Sequence, residues 1–376
     1  MVRKVKISMN QFRVLVFIYT IGSTILLTPS GLSSMVKQDA WISAVVGVGL
    51  GVGLAYFYSS LAMLYPDKSF TEFSEIILGK WLGKLVSMSF LFFCFIGATT
   101  VLYHTGDFLI TQLYPETPLV MINIIIAIVI IYGILQGLEV MLRAAEIFLP
   151  WIILLFFFML FTTSPQIELV NIQPVLESGP KSIFQASILY ASIAALPCIV
   201  FFMIIPHIED KEKLRKTFIS SIILGGIVVI IVVLLCTLVL GPNTAARSMF
   251  PSYVLARKIN IGDFLQRIEV VVAILWFITI YYKILFYYFS FVTGVAQLMK
   301  LKEYRPIVIP LTGVLVVYSL VVYPNNAFAA EWDLYGWVPF AIFNGFLIPM
   351  LLYIVAKIRM KVQKRKTIEI SKSEDF

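Results

Sequence analysis

The sequence is poor in the residues that most chemistry needs. Charged side chains make up 13% of its 376 residues, and it has two histidines and three cysteines. Cys94, Cys198 and Cys236 each lie inside an apolar run, which argues against disulfides and against a thiolate metal site. No close His/Cys/carboxylate cluster occurs, so metal catalysis has little support. There is no nucleophile elbow and no paired-carboxylate motif. GVGLGVG at 47–53 is glycine-rich, but it sits in an apolar run without the strand and lysine of a nucleotide loop. No reaction and no cofactor is assigned, and the chain is expected not to be an enzyme. No small-residue cleavage site follows the first apolar run, which is also too long for a signal-peptide core, so it is expected to stay in the mature protein.

Apolar length is what the chain has. Hydrophobic residues make up 60%, and the mean hydropathy is +0.94. This composition predicts an all-α, polytopic membrane protein. Ten spans are expected, at about 12–35, 41–64, 85–112, 118–138, 144–163, 183–206, 217–240, 265–299, 306–323 and 335–356. PDKSFTEFSEIILGKWLGK, 66–84, has Phe70, Phe73, Ile76, Ile77 and Trp81 at helical spacing and reads as a helix along the membrane surface. Gly47, Gly49, Gly51 and Gly53 read as a close-packing stripe in span two rather than a ligand loop.

The basic residues orient this count. With the N-terminus inside, inner segments hold 22 of the 29 Lys and Arg residues and outer segments hold 5, with Arg267 and Lys283 left inside span eight. That asymmetry obeys the positive-inside rule and places both termini in the cytoplasm. It also accounts for the positive net charge, so no nucleic-acid partner is expected. The basic tail, 357–376, reads as a solvated flank that also meets anionic membrane lipid.

Span one is not good helix at its centre. Gly22, Ser23 and Thr24 sit at mid-depth and Pro29 follows, and backbone freed at such depth must face protein or a cavity. Five spans precede the polar linker 164–182 and five follow it, so residues 1–163 and 183–356 enter the membrane in opposite senses as inverted repeats. Span six is then the counterpart of span one. It reads LYASIAALPC at its centre, with Ala191 and Ser192 ahead of Pro197. Two matched breaks place a substrate site between them at the bilayer midplane.

The opening IGSTILLTPSGLSSMVKQDAW (21–41), the turn YPETPL (114–119) and the junction GLEVMLRAAEIFLPW (137–151), on a ten-span plan, resemble the B subunits of the nutrient germinant receptors of endospores. That family looks like a branch of the amino acid–polyamine–organocation carriers. The resemblance implies a single transmembrane domain of the LeuT-like, five-plus-five inverted-repeat fold with broken first and sixth helices. It implies location in the spore inner membrane and recognition of an amino acid or similar small nutrient. It also implies partnership with a receptor A subunit and a C-subunit lipoprotein.

Candidate site residues follow from the breaks and from the resemblance together. Gly22, Ser23, Thr24, Ala191 and Ser192 come from the breaks. Thr279, Lys283, Phe286 and Ser290 share one face of span eight, by spacings of four, three and four. Span three lines the pocket in the resembled fold, which adds Thr99, Thr100 and Tyr103. Lys283 has two readings of equal standing: a fixed cation replacing sodium and holding main-chain oxygens near Gly22–Ile25, or a structural lysine remote from the ligand. His104 and Asp107 read as a mutually satisfied pair rather than ligand contacts. Glu139, Arg143 and Glu146 read as an ion-pair clamp between spans four and five. The breaks predict a neutral, small to medium amino acid, because the second break carries no Asp or Glu. Two function classes remain, a ligand-sensing receptor subunit, which the resemblance favours, and a proton-coupled or facilitative amino acid transporter.

Overall fold

A computed structural model describes residues 6–258 and 269–374, so Arg267 and the expected start of span eight lie outside the described residues. In chain order the helices are α1 (Met9–Ile21), α2 (Thr24–Val36), α3 (Ala40–Ala62), α4 (Phe70–Leu78), α5 (Lys80–Gln112), α6 (Leu119–Gln136), α7 (Leu138–Thr163), α8 (Gly179–Ala194) and α9 (Leu214–Leu240). Then come α10 (Pro242–Arg247), α11 (Pro251–Arg257), α12 (Glu269–Leu298), α13 (Arg305–Val321), α14 (Asn326–Glu331), α15 (Trp337–Ile342) and α16 (Ile348–Glu374). Among the described residues there is no strand, only an isolated backbone bridge between Ile7 and Ile208. Among the described residues, eight helical stretches are long and apolar enough to cross a membrane, and Arg305–Val321 is a shorter apolar helix.

The breaks organise the packing. α1 packs on α9, α7 and α12, α2 on α8, and α3 on α8 and α9, so both interrupted spans run through the middle of the bundle. The 3-10 segment Leu196–Met203 continues α8 and is buried throughout. Span one is interrupted at Gly22 and Ser23 alone. Pro29, expected to contribute to the break, is carried inside α2, because its missing N–H costs one internal bond and the helix continues past it.

The segment 66–84 differs from expectation. Gly79, at φ +87°, ends α4, so Lys80 and Trp81 start α5 instead of prolonging one surface helix. The aromatic face of α4 is buried against the bundle. Phe70 stacks on Phe90 at 4.2 Å and Phe73 meets Phe202 at 5.4 Å, while Trp81 is 87% exposed. Span ten begins with α14 at Asn326, ahead of the expected 335, and π-helical turns Trp332–Gly336 and Phe343–Leu347 flank α15. The short helices α10 and α11 were not anticipated.

Both ends of the bundle are tied across long sequence separations. At the N-terminal end Ile7 donates its amide to His207 O (2.9 Å) and accepts from Glu209 N (3.2 Å). At the opposite end the buried Asp39 carboxylate accepts the amides of Leu176 (2.7 Å) and Ser178 (2.9 Å), anchoring the central linker. The expected clamp is only half present. Arg143 pairs with Glu139 at 2.6 Å in the open, whereas Glu146 accepts from Asn10 (2.8 Å) and Gln11 (3.4 Å), because α1 packs against α7.

The glycine stripe packs on one face only. A Cβ on Gly47 would lie 2.5 Å from the Tyr190 ring, while Gly49 and Gly53 face open space. Gly47→Val is therefore expected to destabilise the fold by about 1–3 kcal/mol through overpacking. Gly49→Ala should be neutral or slightly stabilising. Thermal melting of the purified variants in detergent checks the contrast, and equal losses at both positions would contradict it.

Candidate functional site

Each break follows from a local rule. Gly22 sits at φ +23°, where L side chains are strained, and its amide makes the last bond of α1, to Ile18 O (2.9 Å). Ser23 O then accepts from Leu26 N (3.2 Å) and Leu27 N (3.0 Å), so α2 starts afresh with its first amides free of helix partners. In the second break Pro197 has no N–H to offer Ile193 O four residues earlier, and the chain tightens into 3-10 turns from Leu196.

Side chains from four other spans satisfy the carbonyls of this second break. Trp337 Nε1 donates to Ser192 O (3.0 Å), Lys283 Nζ to Ile193 O (2.8 Å) and Tyr58 Oη to Leu196 O (3.0 Å). Tyr19 Oη donates to Pro197 O (3.3 Å) and Ser290 Oγ to Val200 O (3.1 Å). Tyr58 also donates to Gly345 O at 2.5 Å, linking the break to span ten. Main chain at this depth is cut off from bulk water, so these donors are a condition of the break's existence.

Lys283 joins the two breaks. It is 1% exposed, and its ammonium donates to Thr24 Oγ1 (3.1 Å) as well as to Ile193 O. Main-chain oxygens of the first break were the expected partners. The first break frees few, since α2 restarts at once and consumes Ser23 O, whereas Pro197 leaves Ile193 O open. The lysine stem packs over Gly22, where a Cβ would lie 2.5 Å from Lys283 Cδ.

A cavity of about 30 Å³ lies at this crossing, room for water but for nothing larger as it stands. Ser23, Leu27 and Ile193 line it from the breaks, Gly97, Thr100 and Val101 from α5, Lys283 and Tyr287 from α12, and Asp333 and Trp337 from span ten. Of the residues singled out in the sequence, Ser23, Thr100 and Lys283 line the cavity, and Gly22 and Thr24 stand directly behind it against Lys283. Thr99 and Thr279 are buried with their hydroxyls on carbonyls of their own helices. Ala191 and Ser192 are buried in α8, and Ser192 contributes its carbonyl to Trp337. Phe286 stacks on Tyr282, away from the lining. Larger voids of about 550 Å³ at the N-terminal end and about 400 Å³ in an apolar crevice beside α12 touch neither break.

Tyr103 belongs to a polar cluster between α5 and span ten, towards the end opposite the N-terminus. Tyr103 Oη donates to Asn326 Oδ1 (2.8 Å), Thr100 meets Tyr323 Oη (2.8 Å), and Asn326 Nδ2 donates to Asp107 Oδ1 (3.3 Å). The expected His104–Asp107 pair is replaced. His104 Nε2 lies 3.0 Å from Asp333 Oδ2, because span ten brings a second carboxylate closer than the one on its own helix. Asp333, Trp337 and Tyr58 were missed in the sequence. Asp333 stands two residues before the expected start of span ten and so read as loop. A start at Asn326 would have exposed it as a carboxylate inside a span.

The chain resembles known proteins along nearly its whole length. A family model described as "Spore germination protein" matches residues 6–328. Spore germination protein KB of Bacillus subtilis (strain 168) is 30% identical over 383 residues, covering 99% of each chain. Spore germination protein XB of Bacillus anthracis is 26% identical, over 84% of this chain and 88% of that one. Among solved structures, MhsT in complex with L-phenylalanine superposes with a TM-score of 0.63 at 13% identity, covering 94% of this chain and 99% of that one. The nucleobase-cation-symport-1 family transporter MHP1 superposes with a TM-score of 0.64 at 13% identity, covering 94% and 90%. The architecture is thus the LeuT-like carrier fold, and the chain belongs to the spore germination protein family.

Proposed function

We propose that this chain is the nutrient-binding subunit of a spore germination receptor, taking a neutral amino acid between its two breaks and signalling to partner subunits by a ligand-dependent shift. One observation carries the reading: a central cavity flanked by both interruptions, with the Lys283 ammonium bridging Thr24 Oγ1 and Ile193 O. The free amides at the start of α2 favour a carboxylate, by hydrogen bonding and by the helix dipole. Small and aromatic neighbours suit a neutral side chain, and the LeuT-like relative MhsT was solved with L-phenylalanine. Because the cavity holds water-sized volume only, binding requires helices to part, and that movement is the signal passed to an A subunit and a C lipoprotein.

In this reading residues 1–163 and 183–356 are the two inverted repeats, joined by 164–182. Both termini face the cytoplasm, and the protein lies in the spore inner membrane. Lys283 occupies the place of a coupling cation, so binding is independent of sodium. The second reading, a transporter, draws on the carrier fold of MHP1. Proteoliposomes with radiolabelled neutral amino acids separate the two. Saturable, sodium-independent binding without concentrative uptake is expected, and concentrative uptake by this chain alone would establish the transporter instead.

A further inference from the structure

We propose that Asp333 recognises the ammonium group of the ligand, and that the ligand displaces His104 from it. The proposal rests on the reading of the central cavity as an amino acid site. Asp333 stands on the π-helical turn Trp332–Gly336 and lines the same cavity as Lys283. The cavity is therefore lined by one cationic and one carboxylate side chain. An α-amino acid complements both charges, whereas a 2-hydroxy acid or a simple amine complements one.

The geometry around Asp333 describes an occupied partner that can be exchanged. Its Oδ2 is 3.0 Å from His104 Nε2, with the imidazole 4% exposed and the carboxylate 25% exposed. Neither imidazole nitrogen of His104 makes a well-aligned hydrogen bond among the described residues, so the approach to Asp333 is a close charge contact only, and the ring otherwise packs on Tyr103 and Tyr323. A single polar contact thus holds the imidazole. Asp107, the other carboxylate on that side, is held by Asn326 and is not part of the lining. When an ammonium takes the place of His104, the partly exposed carboxylate keeps a cationic partner throughout. The exchange also severs one tie between α5 and span ten, and π-helical turns of this kind are frequent at functional sites. Occupancy is then read as a change in how span ten sits against α5.

The test uses the full chain in nanodiscs and equilibrium binding of L-alanine, L-leucine and L-phenylalanine, each beside its 2-hydroxy acid. Wild type is expected to prefer the amino acid by at least about a hundredfold, as sites built around a polar group reject analogues lacking it. Asp333→Asn should weaken amino acid binding at least about tenfold and remove most of that preference, with Asp333→Glu restoring part of it. His104→Asn should tighten binding severalfold, since the competing partner is gone. Wild type that binds an amino acid and its hydroxy acid equally overturns the proposal without needing any variant. So does unchanged preference in Asp333→Asn; in both cases the amino acid site itself stands. Absence of amino acid binding to wild type removes the proposal together with the reading of the site.

Discussion

Lys283→Met is expected to abolish ligand response while leaving a folded protein. The methionine fills much of the volume of the lysine stem over Gly22, so the packing survives, but the bonds to Thr24 Oγ1 and Ile193 O are lost. Hydrogen bonds to charged groups are worth roughly 1.5–3 kcal/mol each, so losing both removes about 3 kcal/mol or more. That loss falls on the crossing of the two breaks rather than on a ligand contact, and with the crossing no longer held together ligand affinity is expected to fall at least about tenfold. Lys283→Arg should fail as well, because a planar fork cannot replace a compact ammonium between a hydroxyl and one carbonyl. Binding in nanodiscs with and without sodium checks both variants. Wild-type affinity in Lys283→Met would return this lysine to a purely structural role.

Gly22→Ala is the second large effect. The backbone at φ +23° disfavours any side chain, and the new Cβ would lie 2.5 Å from Lys283 Cδ and 2.9 Å from Tyr19 O. The lysine can shift, but the main-chain oxygen is held within α1, so the break must distort. Local strain of this kind costs roughly 1–3 kcal/mol, and the added overpacking a similar amount. Response to every nutrient should be lost through displacement of Lys283, with expression largely retained. Unchanged response would remove the site from this place.

Much of this architecture could be read from the chain, for physical reasons that differ by element. Apolar length located the spans, because hydrocarbon thickness constrains them directly. Gly22 and Pro197 marked the breaks, one by a conformation that glycine alone adopts freely and the other by a missing donor. Lys283 stood out because a charge in an apolar run is costly wherever it is not used. The rest depended on contacts between distant segments. Nothing local to Tyr58 or Trp337 shows that it donates to a carbonyl of the second break, 138 and 145 residues away. Helical spacing pairs His104 with Asp107, and only the packing of span ten on α5 brings Asp333 to 3.0 Å. Trp81 kept the periodicity of α4 in sequence, yet Gly79 had already ended that helix.

The most direct measurement is a high-resolution structure of the protein with the neutral amino acid that wild type binds most tightly. The account predicts ligand density between Ser23 and Ile193, its carboxylate at the first amides of α2, in a cavity widened from its present 30 Å³. Lys283 should remain on Ile193 O, and no ion should occupy the space between α2 and α12. Density in the crevice beside α12 or in the cavity at the N-terminal end, with the crossing of the two breaks unchanged, would contradict it.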